Sequence, residues 1–118
     1  MVIGVPKEIK DQEFRVALLP SAAYQLIKRG HRVVVEANAG AGSGYPDADY
    51  SQAGAEVVAS HEKVFAEAEL IVKVKEPQSS EIPLLRSGQM LFTYLHLAAS
   101  KTLTEGLLDS KEIGRAHV

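Results

Sequence analysis

The sequence predicts an α/β fold in three layers, with a mostly parallel, Rossmann-like or flavodoxin-like sheet between helices. Short apolar runs rich in β-branched residues alternate with helix-like segments along the 118 residues. The connections between the runs are long enough for crossovers, as a parallel sheet requires. The composition, 46% hydrophobic and 24% charged, is that of one globular unit with a modest core.

The first part of the chain is predicted to form a strand, a helix and a second strand. The apolar run VIGV at 2–5 is the first strand. The segment SAAYQLIKR at 21–29 is helical, with Ser21 near its start and Gly30 placed to end it in a left-handed conformation. The β-branched run HRVVVEA at 31–37 follows as the second strand.

The middle of the chain continues the alternation after its longest loop, NAGAGSGYP at 38–46. The segment DADYSQAG at 47–54 is a short helix that ends at a glycine. The run AEVV at 55–58 is a brief third strand. A further helix is predicted to start at Ser60 and to continue through HEKVFAEA.

The last part of the chain contains two more predicted strands. The run ELIVKVK at 69–75 is a strong strand that a proline closes, and EIPLLRSG at 81–88 is a short helix disturbed by a proline. The run MLFTYLH at 90–96 is the fifth strand. Thr102 and Glu105 form a capping box for a last helix.

Charge and composition exclude several classes of function. The 13 basic and 15 acidic residues are interspersed and give a formal charge of -2, so no basic stripe is present to bind nucleic acid. No apolar run approaches the ~20 residues of a membrane helix, and the chain is expected to be cytoplasmic. Without cysteine, disulfides and thiol chemistry are excluded. The four histidines lack metal-ligand spacing, so no metal site is predicted.

The glycine-rich loop does not match a dinucleotide-binding motif. In G-x-G-x-x-G the third glycine follows the second by three residues, but after Gly40 and Gly42 that place is held by Tyr45, and Gly44 comes one position early. We therefore expect a flexible surface loop that binds no cofactor. A phosphorylation module of similar architecture would need clustered acids after the early strands, where the chain offers only Glu8.

Three side chains suited to catalysis or anion binding follow three different predicted strands. Arg15 lies in the loop after the first strand, Lys75 ends the strand at 69–75, and His96 ends the fifth strand. Each residue alone is more often solvated or structural. Because ligands of open α/β sheets bind outside the carboxyl ends of the strands, we expect the three to converge. Tyr94 shares the strand face of His96 and is expected to add a hydrogen bond.

These residue types suit a small anion that bears a carbonyl group. Arg15 is able to grip a carboxylate through two parallel hydrogen bonds, which a lysine cannot do. Lys75 is able to stabilise charge on a carbonyl oxygen. His96, with an unperturbed pKa of about 6.5, is able to exchange a proton at neutral pH as a general acid or base.

Three motifs resemble those of a known family. The segment GVPKEIKDQEFRVALLP at 4–20 resembles the signature shared by alanine dehydrogenases and the α subunit of proton-pumping transhydrogenases. The segments VKVKEP and LFTYLHLAA are similar to alanine dehydrogenases in particular. Transhydrogenase relatives usually lack the histidine of the second segment, so His96 discriminates between the two branches. Gln12 stands where the signature often has asparagine.

The resemblance implies a two-domain, NAD-dependent enzyme that interconverts L-alanine and pyruvate plus ammonia. It implies that Arg15 and Lys75 bind the substrate and that His96 is the proton donor and acceptor. It also implies a hexamer in the intact protein, with NAD bound mainly by a second domain that is absent from this chain.

The resemblance also divides the chain. Residues 1–110 are expected to form most of the substrate domain. The last residues, KEIGRAHV at 111–118, differ from the apolar strand that the family has there and are expected to be an atypical tail, altered or vector-derived. Such a fragment is expected to be inactive alone. Two alternatives stay open: a transhydrogenase-like subunit and a non-catalytic module that binds small anions.

Overall fold

The computed structural model describes residues 1–94, and this part forms a five-stranded, fully parallel sheet. The strands lie in the order β3-β2-β1-β4-β5. The chain therefore builds outward from β1 to one side and then returns to build to the other side. The strand bounds are β1 Val2–Val5, β2 Arg32–Glu36, β3 Glu56–Val58, β4 Leu70–Lys73 and β5 Met90–Thr93.

Three α-helices connect these strands as crossovers. They are α1 Pro20–Lys28, α2 Asp47–Gln52 and α3 His61–Glu67. The start of α3 is set by Ser60, whose hydroxyl accepts a hydrogen bond from the Lys63 backbone N–H at 3.1 Å. Gly30 follows α1 with φ 97°, the left-handed conformation that the sequence predicts there.

The helices cover both faces of the sheet and produce the predicted three layers. On one face Ala23 of α1 and Tyr50 of α2 pack with Val33 and Val35 of β2 in the larger apolar core. On the other face α3 forms a smaller core with β4 and β5, made of Phe65, Ala68, Ile71 and Leu91. The predicted α/β class and parallel topology are confirmed.

Gly4 of β1 allows α3 to pack closely against the centre of the sheet. A Cβ atom built at Gly4 would lie 2.6 Å from the Cβ of Ala68 and 3.0 Å from Cγ1 of Val64, closer than side chains tolerate. Close approach of a helix to a strand of this kind requires glycine. This packing fixes the position of α3, which begins at His61, relative to β1.

Three predicted elements differ from the structure. The strand predicted at 69–75 ends at Lys73, so Lys75 lies in the following loop. The short helix predicted at 81–88 is a 3-10 turn over Ile82–Leu84, as expected where a proline removes a backbone donor. The glycine-rich loop contains a further 3-10 turn over Ala41–Ser43. The predicted end of the fifth strand at His96 and the predicted capping-box helix lie outside the described residues.

Candidate functional site

The candidate site lies where β1 and β4 end side by side. These neighbouring strands mark the point at which the strand order reverses, because β2 and β3 lie to one side and β5 to the other. The loop after β1 carries Glu8, Glu13 and Arg15, and the loop after β4 carries Lys75. Crevices at such reversal points are the usual ligand sites of open α/β sheets.

Arg15 and Lys75 converge on one carboxylate, that of Glu13. The Arg15 guanidinium donates from Nε and Nη2 to the two Glu13 oxygens at 3.0 and 2.8 Å, and the Arg15 backbone N–H donates at 2.8 Å. The Lys75 ammonium lies 3.9 Å from the Glu13 Oε1 atom. The Glu13 side chain is 4% exposed, whereas that of Arg15 is 67% exposed. The loops after β1 and β4 thus bring the two predicted cations together.

Glu13 is ionised under all physiological conditions. Its hydrogen bond from the Arg15 side chain outweighs the effect of burial and, with further help from Lys75, lowers the pKa of Glu13 to about 2. The same pairing raises the pKa of Arg15. Because Glu13 occupies Nε and one Nη donor of Arg15, the outer Nη donors are the ones available to a ligand.

Tyr94 lies beside the same region at the end of β5. Its hydroxyl donates a hydrogen bond to the Ala17 carbonyl at 2.9 Å. A cleft of about 440 Å³ is lined by Arg15, Val74 and Tyr94 together with Ala17. The structure therefore places Tyr94 beside Arg15, with its hydroxyl oxygen left as an acceptor. His96 lies outside the described residues, so its place relative to the other three stays a prediction.

The glycine-rich loop closes against the segment that carries Arg15. A Cβ atom at Gly42 would lie 2.7 Å from the Phe14 carbonyl oxygen, and one at Gly40 would lie 2.8 Å from the ring of Tyr50. The Ser43 hydroxyl donates to the same Phe14 carbonyl at 3.2 Å. These glycines serve internal packing of a built turn, and the flexibility expected of this loop stays a prediction.

Behind the cation pair lies a chain of alternating charges, which we term the buried charge network: Glu36, His61, Glu81, Lys73 and Glu8. The His61 ring contacts Glu36 through Nδ1 at 2.5 Å and Glu81 through Nε2 at 2.8 Å. The Lys73 ammonium lies 3.3 Å from Glu81 and 3.1 Å from Glu8. Lys73 and Glu81 are fully buried.

The network ends on the backbone that carries Lys75. Past the end of β4, the Glu8 carboxylate accepts hydrogen bonds from the backbone N–H groups of Val74 at 3.0 Å and Lys75 at 3.1 Å. Glu8 therefore replaces the ladder partner that these two N–H groups lose. It also ties the loop after β1 to the loop after β4, directly beneath the cation pair.

His61 makes the stability of the fold depend on pH. Hydrogen bonds to Glu36 and then Glu81 outweigh burial and raise the pKa of His61 from 6.5 to about 9. The raised pKa means that the imidazolium stabilises the folded state fully below about pH 6.5, and that this contribution is lost as the pH rises through 9. Allowing for solvent screening, we expect the free energy of unfolding to fall by about 2 kcal/mol over that range.

Urea unfolding of the chain at pH 6, 7.5, 9 and 10 measures this fall. His61→Gln should flatten the dependence of the free energy of unfolding on pH between 6.5 and 9. His31→Gln, at the amino end of β2, should leave that dependence steep. An unchanged slope in His61→Gln would assign the pH dependence to another group.

Sequence reasoning missed Glu13 and the buried charge network. The spacing of Glu13 and Arg15 is a signal in hindsight, since the carboxylate reaches the backbone and side chain two residues on. Lys73 is a second signal in the sequence, because a lysine inside a central strand needs a buried partner.

In residues 1–94 no group of three or more possible metal ligands is found, and no helix there is long and apolar enough to cross a membrane.

Known proteins share the sequence and the fold of this chain. The sequence profile described as alanine dehydrogenase/PNT, N-terminal domain, matches residues 4–116. An alanine dehydrogenase of Halomonas elongata is 59% identical over 110 residues, which are 93% of this chain and 30% of the relative. A solved L-alanine dehydrogenase superposes with a TM-score of 0.89 at 54% identity, covering 93% of this chain and 30% of that one.

A transhydrogenase from Sinorhizobium meliloti has the same fold at lower identity. It superposes with a TM-score of 0.86 at 30% identity, covering 96% of this chain and 32% of that chain. The chain thus spans about a third of the length of the relatives it matches. From the family profile, the shared parallel sheet and the identity across nearly all its residues, the chain belongs to the family of alanine dehydrogenase and PNT N-terminal domains.

Proposed function

We propose that this chain is the substrate-binding part of an NAD-dependent alanine dehydrogenase, which converts L-alanine, NAD and water reversibly to pyruvate, ammonia and NADH. The observation that carries the proposal is the convergence of Arg15 and Lys75 on the Glu13 carboxylate at the ends of β1 and β4. The similarity to proteins named alanine dehydrogenase, at 54% and 59% identity, supports the choice of reaction.

Arg15 and Lys75 divide the recognition of the substrate between them. The outer Nη donors of Arg15, on a side chain that is 67% exposed, bind the substrate carboxylate in a planar, paired geometry. The Lys75 ammonium stabilises the negative charge that develops on the carbonyl oxygen of pyruvate. Glu13 holds both cations in place before the substrate arrives, so their geometry is set by folding.

Tyr94 and His96 complete the proposed site. The Tyr94 hydroxyl donates to the Ala17 carbonyl, which fixes its oxygen as an acceptor toward an amino or hydroxyl group of the substrate. His96 lies two residues further along the chain. It acts as general acid and base, and it transfers a proton to and from the oxygen or nitrogen atom bonded to the reacting carbon.

The described residues do not fit NAD. The glycines at 40 and 42, the ones nearest to a dinucleotide motif, pack closely against Tyr50 and Phe14 in an internal turn, and Tyr45 holds the place of the motif's third glycine. NAD, which supplies hydride transfer when bound, is accordingly proposed to be held by other parts of the protein.

The further proposals are a substrate domain over 1–110, an atypical tail over 111–118, a hexameric assembly and a cytoplasmic location.

Two measurements test the proposal. The chain labelled with ¹⁵N should show pyruvate-dependent shifts of the Arg15 and Lys75 backbone amides, and lactate, which lacks the carbonyl, should bind more weakly. The full-length gene product should reduce NAD with L-alanine, whereas the chain alone with NAD should not. Turnover of alanine by the chain alone, or absence of turnover in the full-length protein, would contradict the proposal.

A transhydrogenase-like subunit is the alternative within the family. The lower identity to the transhydrogenase, 30% against 54%, disfavours it. His96→Ala separates the two: in an alanine dehydrogenase it should abolish turnover while leaving the fold intact. A non-catalytic module would bind pyruvate in the full-length protein without any alanine-dependent reduction of NAD.

A further inference from the structure

We propose that Glu13 sets the charge selectivity of the site, so that it accepts monocarboxylate 2-oxo acids and rejects their dicarboxylate analogues. The proposal rests on the proposed function, since it concerns the same cation pair. It adds a residue that selects the substrate through charge while making no contact with the reacting atoms.

The first step is the charge balance around the cation pair. Arg15 and Lys75 share the single negative charge of Glu13, which leaves one net positive charge. A monocarboxylate neutralises that charge. A dicarboxylate of the same skeleton brings a second negative charge that the cation pair has no positive charge left to neutralise, and the nearby charge of Glu13 disfavours it.

The surrounding charges do not alter this balance. Lys10 is neutralised by Glu76, with an Nζ to Oε1 distance of 2.6 Å. The buried charge network carries one net negative charge while His61 is protonated. Lys7, which lines a small cavity together with Glu8, Glu13 and Arg15, offsets that charge.

The second step is that the negative charge of Glu13 is constant and poorly screened. The carboxylate is 4% exposed, so mobile ions have little access to it. Three hydrogen bonds from Arg15 fix its position, and its pKa of about 2 keeps it ionised near neutral pH. Selection by Glu13 is therefore independent of pH near neutrality.

A second arginine–glutamate pair, at the amino ends of the strands, serves as a comparison for the Arg15–Glu13 pair. Arg32, at the start of β2, donates from Nε and Nη2 to the two oxygens of Glu56 at 2.7 and 2.9 Å, the same geometry as the Arg15–Glu13 pair. Arg32 also faces a second acid, Glu67, at 3.8 Å. The paired geometry is thus not particular to the site: at Arg32 one cation faces two acids, whereas at Glu13 one acid faces the two cations of the site.

The test uses the full-length gene product with ammonia, NADH and an equal mixture of pyruvate and freshly dissolved oxaloacetate. These differ by one carboxylate on the methyl carbon, and the amounts of L-aspartate and L-alanine formed give the ratio of the two kcat/KM values. Glu13→Gln should raise the aspartate-to-alanine ratio roughly tenfold, since about 1.4 kcal/mol of repulsion corresponds to that factor.

Two variants and one substrate serve as controls. Glu13→Asp retains the charge, so its ratio should stay close to that of the wild type even if both rates fall. Glu56→Gln removes the matched acid at the opposite edge and should leave the ratio unchanged. The control substrate 2-oxobutyrate, used in place of oxaloacetate, adds bulk to pyruvate without adding charge. With this substrate, Glu13→Gln should not change the product ratio.

The outcomes separate this proposal from the proposed function. Wild-type protein that forms no alanine would overturn the proposed function and this proposal with it. Wild-type protein that forms alanine, with an unchanged aspartate-to-alanine ratio in Glu13→Gln, would overturn only the role of Glu13. If Glu13→Gln does not fold, Glu13→Ala removes the same charge, and the same unchanged ratio would count against the proposal.

Discussion

Lys73→Met is expected to destabilise the fold by about 3–5 kcal/mol, because it leaves buried carboxylates without their cation. The Lys73 side chain is 1% exposed and lies between Glu8 and Glu81, whose side chains are 2% and 0% exposed. Methionine has a similar length and fills the same space, so the loss reflects charge more than packing. Urea unfolding at pH 7 measures the change.

Lys63→Met is the matched control for this prediction. Lys63 lies exposed on α3, where the same substitution removes a charge from solvent and should change the free energy of unfolding very little. A loss of under 1 kcal/mol in Lys73→Met would mean that the acids of the buried charge network adapt by taking up protons. A second effect is expected in folded Lys73→Met protein: weaker pyruvate binding, because Glu8 also holds the Val74 and Lys75 backbone.

Arg15→Lys is expected to weaken pyruvate binding roughly 100-fold although it keeps the positive charge. A lysine offers a point charge where the guanidinium presents two parallel donors to a carboxylate. It would also give up at least one of the two side-chain hydrogen bonds to Glu13. Isothermal titration of pyruvate into the full-length protein gives the dissociation constants.

Arg32→Lys provides the comparison for Arg15→Lys. Arg32 has the same paired contact with a glutamate, but at the amino end of β2, away from the site. Its replacement should leave pyruvate binding at the wild-type level. Equal losses in the two variants would point to a general effect of arginine on the fold and against a substrate contact for Arg15.

The sheet could be predicted from local pattern because its strands are short apolar runs and its helices have clear ends. Ser60 and Gly30 mark helix ends by rules that involve only neighbouring residues. The early end of β4 could not be predicted in this way. It depends on Glu8, which lies more than 60 positions away and takes the N–H groups of Val74 and Lys75 out of the ladder.

The candidate site was predictable to the extent that strand ends decide it. The rule for parallel sheets brought Arg15 and Lys75 to one edge, and the structure places them on one carboxylate. Glu13 itself was not predicted, because an acid in an irregular loop has no periodicity to mark its burial. His61 was considered only as a metal ligand, and its two acidic partners lie 25 and 20 positions away.

The hydrogen bonds of Glu8 to the neighbouring loop have a consequence for the energetics of ligand capture. The carboxylate clamps the backbone of Lys75 while Glu13 restrains the guanidinium of Arg15, so much of the rotamer and loop freedom of both cations is already lost in the ligand-free protein. A substrate then has little ordering left to impose. Its association should accordingly show a small entropic penalty from the protein.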